Sequence, residues 1–229
     1  FRLYYDLLNC GFTVPLTAGS DYPVAPGAPG SPRTLVRLPA GTPLTYAAWV
    51  EGIRRGRTSI SANRDDRLTL RAGPSHSGDR LALAPGAGLA LEVGYQLSQP
   101  AQLELVVNGA VVSSESVSGE GRWRPSLTLE DSVWVVARCV SAHTGPIYVE
   151  VAGRPIRASL ASARRFVAHL DRLLRELDVP NFIFGAPSEE ERALIEEERR
   201  LAKATYERAR EAWRLIEEES RERERLLKR

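Results

Sequence analysis

The chain has 229 residues, 43% of them hydrophobic, and 31 Lys and Arg against 29 Asp and Glu leave a formal charge of +2. It can bury a core as one large domain or as two to three small ones, while so balanced a charge excludes nucleic-acid or membrane binding driven by net electrostatics. No apolar run reaches the roughly twenty residues that cross a bilayer, and no basic-then-apolar leader precedes the first elements, so the expectation is a chain without a transmembrane segment, its compartment left open.

The first stretch, "FRLYYDLLNCGF", carries Leu3, Tyr4, Leu7 and Leu8 at helical spacing with Gly11 just beyond, where a left-handed cap needs no side chain. "TVPLTAGSD" predicts a short strand ending at Asp21, followed by a Pro/Gly-rich loop from Pro23 to Pro32. "RTLVRLP" predicts another strand. "LTYAAWVEGIRRGR" predicts a helix with Thr45 as N-cap and Gly56 as C-cap. This alternation is the grammar of an α/β barrel or sheet.

From about Asp66 the period becomes alternating. "RLTLRAG", "DRLALAPG", "LALEVGYQLS", "AQLELVVNGAVVSS", "RWRPSLTLE", "SVWVVARCV" and "PIYVEVAG" predict short strands of an antiparallel β-sandwich. Asn108-Gly109 supplies the two positive-φ positions of a tight hairpin. After Gly153 the period is helical again. Leu160, Ala163, Val167, Leu170, Leu174 and Leu177 line one amphipathic helix that stops before Pro180. A second starts at "PSEEE", where Ser188 and Glu191 form a capping box, and its stripe runs from Ile195 to Ile216. The stripe fades into "EEESRERERLLKR", which predicts a solvated or frayed end.

"YYDLLNCGFTVPLTAGSDYP", "LTYAAWVEGIRRGRTSIS", "ELVVNGAVV", "VWVVARC" and "AHTGPIYV", in that order, resemble the C-terminal half of CehA/McbA-type metallohydrolases of the PHP (polymerase and histidinol phosphatase) superfamily. The resemblance implies that residues 1–64 are terminal elements of a PHP-type (β/α) barrel; with the strand and helix readings above, the expectation is an α+β chain with 65–153 as an antiparallel β-sandwich and 154–229 as a C-terminal helical pair. It implies a site for zinc, manganese or iron in the intact protein, and Asp21, in "AGSD", matches the family's late "GSD" motif as a metal ligand. There a metal-activated water would cleave an ester, carbamate or phosphoester of a small-molecule substrate. The other ligands would lie upstream, so this part by itself is expected to be inactive. Pro23 stands where the wider superfamily often has a histidine, and "SISANRDDR" keeps only Asn63 of the related loop.

Each residue also has a plainer reading. Asp21 suits a turn or an N-cap. His143 suits a structural histidine, His76 a solvated turn, and His169 a helix surface; none is paired at i,i+4. Asp65-Asp66 and Arg54-Arg55 suit wet loop and helix-end charges. Trp49, Trp123, Trp134 and Tyr148 offer a sugar platform, although alternation places Trp134 and Tyr148 in the core. Cys10 and Cys139 lack any metal or redox spacing and suit buried apolar positions. The rival function is a non-enzymatic β-sandwich module that binds carbohydrate or protein, with a helical tail long enough to contact a second copy.

Overall fold

Helix α1 (Arg2–Asn9) opens the computed structural model, which describes residues 1–24, 29–177 and 188–227. It ends as expected: Gly11 takes φ +86° and the Phe12 N–H reaches back to the Leu7 carbonyl at 3.1 Å. The next segment departs from expectation, because residues 13–21 form no strand. Pro15 brings no donor to a ladder. The Thr34 side chain substitutes for one, accepting from the Ala18 N–H at 2.8 Å and donating to the Ala18 carbonyl at 2.9 Å.

Strand β1 (Arg33–Val36), helix α2 (Tyr46–Arg54) and strand β2 (Thr58–Ser61) follow. The Thr45 hydroxyl caps α2 through the Ala48 N–H, and Gly56, at φ +65°, turns the chain back. β1 and β2 therefore pair antiparallel, Val36 opposite Thr58. No parallel strand–helix–strand unit of a barrel occurs among the described residues of 1–64. Instead β2 joins the large sheet through β11 (Ala142–Thr144).

The other strands are β3 (Arg67–Ala72), β4 (Ser75–His76), β5 (Arg80–Leu83), β6 (Ala87–Ala90), β7 (Glu92–Val107), β8 (Ala110–Trp123), β9 (Ser126–Leu129), β10 (Val133–Arg138) and β12 (Ile147–Val151). The main path runs β1-β2-β11-β10-β7-β3-β4, with β8 on β7, and β12 on β10 and, in parallel, on β5; β6 and β9 form a separate pair. The long β7 explains how this sheet curls. Its first part pairs with β3, its last part with β10, and a register shift between Leu97 and Ala101, around Pro100, separates the two. Leu68 and Leu70 of β3 thereby share one core with Val133 and Val135 of β10. The Asn108-Gly109 hairpin forms with φ +51° and +90°.

β10 is buried on both faces, so its sequence runs apolar without alternation. Trp134 and Val136 face away from the first core and pack with Leu8, Val106, Tyr148 and Ile156, under Tyr4 and Tyr5 of α1. The Trp134 indole N–H donates to Asn9 Oδ1 at 2.8 Å, which satisfies its one polar atom in an apolar setting.

Residues 1–158 make one compact unit and 159–229 a second. The second holds α3 (Leu160–Leu177) and α4 (Glu189–Leu227). Phe166 stacks on Trp213 with centroids 4.1 Å apart, and Arg164 pairs with Glu217 while Asp171 pairs with Arg210, so the two helices run antiparallel. The Ser188–Glu191 capping box forms in both directions. The expected fraying is not seen. α4 continues to Leu227 because Glu, Arg and Leu are strong helix formers and Glu217–Arg221 pairs one turn apart. The Pro180 stop lies outside the described residues. Among the described residues no helix is long and apolar enough to cross a membrane.

Candidate functional site

Asp21 sits at the end of the extended segment held by Thr34, exposed, with φ +49°. This left-handed conformation is tolerated by aspartate more readily than by bulkier residues. Its carboxylate has no hydrogen bond to any described residue. The N-cap reading requires such a bond; the turn reading does not, and the left-handed φ just before the turn at 22–24 suits it. Among the described residues no three His, Cys, Asp or Glu side chains gather to hold a metal ion. Asp21 belongs to no such group among the described residues.

His143 is structural. It is buried beneath α1, stacked on Phe1 with centroids 4.5 Å apart. Its Nδ1 lies 2.7 Å from the Thr144 carbonyl, which can only accept, so Nδ1 carries the proton and Nε2 accepts from the Tyr5 hydroxyl at 2.7 Å. Arg138 donates to that hydroxyl at 3.2 Å and to Glu104 at 2.7 Å. Burial lowers the His143 pKa to about 4; the Thr144 carbonyl opposes that shift and the Arg138 charge adds to it. The ring is neutral at pH 7 and both its nitrogens are engaged.

Asp66 overturns its reading as a wet loop charge. It is buried, and its carboxylate accepts from the Ser98 N–H at 2.7 Å, Ser98 Oγ at 2.8 Å, Ser141 Oγ at 2.5 Å and Asn63 Nδ2 at 2.9 Å. Burial raises its pKa, but these donors outweigh burial and bring it down to about 2. Asp66 ties the start of β3 to the bulge of β7 and the turn before β11. The Asn63 side-chain amide thus donates to Asp66.

Trp134 and Tyr148 lie in the core and cannot present a sugar platform. Cys10 is buried and Cys139 half-buried, and neither is in a disulfide among the described residues.

A cleft of about 280 Å³ lies between β1–β2 and β3–β4. β1 and β4 end the strand path, so the cleft is the seam where the curled sheet leaves its edges unpaired. Arg37, Arg57, Arg67 and His76 line it with Thr58 and Ser77. His76 is half-buried there, contrary to the solvated turn expected from "GPSHSGD". Burial lowers its pKa, and the Arg37 charge lowers it further. The arginines were missed because "RLP" and "GRT" carry no signal until register places them side by side.

No known protein family and no characterised protein sequence matches the chain. Among solved structures, an engineered protein aligns at a TM-score of 0.24 and 16% identity, over 36% of this chain. The chain spans 20% of that protein's length, and a likeness this low carries no argument.

Proposed function

We propose that the chain is the C-terminal part of a larger metal-dependent hydrolase, acting on an ester, carbamate or phosphoester, to which it contributes Asp21. The single observation that carries this reading is the state of that carboxylate: exposed, left-handed, and without a hydrogen bond to any described residue. Its motif context, "LTAGSDYP", is the one that resembles the PHP-type hydrolases. A catalytic metal normally takes three protein ligands and keeps one position open. The reading takes the further ligands from elsewhere in the intact protein, since among the described residues no such group gathers. What the chain itself supplies is position: the Thr34 side chain fixes Ala18 on both its backbone groups, three residues before Asp21.

The test compares turnover of nitrophenyl acetate and nitrophenyl phosphate by the full natural gene product and by residues 1–229, each with added Zn²⁺ or Mn²⁺. Hydrolysis by the full product alone is expected. Robust hydrolysis by residues 1–229, or none by the full product on either substrate class, overturns the proposal. The second reading, a binding module, is favoured by one observation, the basic cleft at the sheet seam.

A further inference from the structure

We propose that the seam cleft between β1–β2 and β3–β4 is a binding site for a small organic oxyanion, a phosphate or carboxylate ester-sized molecule held by Arg37 and Arg57. The inference is independent of the role given to Asp21.

Four observations carry it. Arg37 and Arg57 stand directly opposite each other across the antiparallel pair, the Arg37 N–H donating to the Arg57 carbonyl at 2.9 Å one step beyond the Val36–Thr58 register. Like charges placed so oppose pairing of their strands unless something negative lies between them. Neither guanidinium has an ion pair or hydrogen bond to a described residue, and the Nε of each is buried without a partner. Buried charged donors left unmade are costly, and they cluster where a ligand completes them. Third, Thr58, also in the cleft wall, is 2% exposed and its hydroxyl likewise has no partner among the described residues.

The fourth observation is the local charge balance. Arg37, Arg57, Arg71 and His76 act on one another at this seam, against Asp79. Arg71 pairs with Glu92 at 2.9 Å, a carboxylate it shares with Arg122 and Arg124, so one carboxylate, Asp79, which also accepts from the His76 N–H at 2.8 Å, stands against both Arg37 and Arg57. Positive charge is therefore left over where the cleft opens. Arginine's planar fork suits the paired oxygens of a carboxylate or phosphate. The half-buried Leu35 and Val36 beside them give an apolar wall for the body of such a molecule, the combination common to ligand pockets.

The probes are inorganic phosphate, phenyl phosphate and benzoate, titrated into the intact chain while the His76 ring protons are followed by NMR and heats by calorimetry. Saturable binding of phenyl phosphate or benzoate is expected, tighter than inorganic phosphate, and whichever of the two binds more tightly identifies the anionic group. Arg37→Gln and Arg57→Gln should each weaken it by about tenfold or more, since each removes charge-assisted hydrogen bonds. Without ligand, Arg57→Gln should melt at or above the temperature of the parent, because a like-charge pair is removed. Arg57→Lys, which keeps the charge and loses the fork, should fold and bind with intermediate affinity. Absence of saturable binding for all three probes, or affinity unchanged in both glutamine variants, overturns the proposal.

Discussion

Asp66 and His143 are buried titratable side chains of the sheet unit whose folded pKa values lie below the ordinary ones. His143 has a folded pKa of about 4, below the ordinary 6.5, so the unfolded chain takes up its proton first. Its contribution to stability is whole above pH 6.5 and is lost as pH falls through 4, on the order of 3 kcal/mol. Asp66, at about 2 against 3.8, keeps its contribution above pH 3.8 and loses it as pH falls through 2, on the order of 2 kcal/mol. His143→Gln should flatten the stability profile between pH 6.5 and 4, as read by urea midpoints, and leave the lower window in place. An unchanged slope in that variant would show that another group titrates there. Asp66→Ala should cost about 2 to 3 kcal/mol at pH 7, because it strips a charged acceptor from four donors. The sequence held a signal for Asp66 that its pairing with Asp65 hid: Asp66 shares the inward phase of Leu68, Leu70 and Ala72. Asp65 has the outward phase. Nothing comparable marked Arg37 and Arg57, whose meeting depends on a strand register that no local pattern specifies.

Among the elements, those with strong local chemistry were legible. The Thr45 cap, the Gly11 and Gly56 ends, the Asn108-Gly109 turn and the Ser188–Glu191 box all form, because each depends on residues within a few positions of one another. The misreadings at 13–21 and in the length of β7 have a non-local cause. A proline-interrupted run can lie beside the sheet and borrow one side chain, and a strand can pass through Pro100 by a bulge. The close crossing of two turns was equally invisible. A Cβ on Gly78, at φ +90°, would stand 1.9 Å from the Arg55 carbonyl oxygen and 2.7 Å from the Gly56 carbonyl carbon. Gly78→Ala should therefore cost at least about 3 kcal/mol through a backbone clash with no side chain to yield. A chemical denaturation midpoint close to the parent's would contradict that packing. In the helical unit, Trp213→Ala removes the ring stacked on Phe166 and should cost about 3 kcal/mol of helix-pair stability, read as a lowered midpoint of helical circular dichroism.

At the scale of the whole molecule, the mixed α+β composition, the antiparallel β-rich body and the C-terminal helices follow from changes of hydrophobic period along the chain. How the strands join does not. β3 and β10 contribute to one core because β7 bends between them, and β1–β2 extends the same sheet where a barrel had been expected. The candidate site divides in the same way. Asp21 was singled out by its motif, yet among the described residues it belongs to no group of three metal-ligating side chains, and the proposed role draws its other ligands from elsewhere in the intact protein. The most direct test of that role is metal content by elemental analysis of the full natural gene product beside its Asp21→Ala variant. Bound zinc, manganese or iron is expected in the parent, with a clear fall in the variant; metal content indifferent to Asp21 would contradict a ligand role for it.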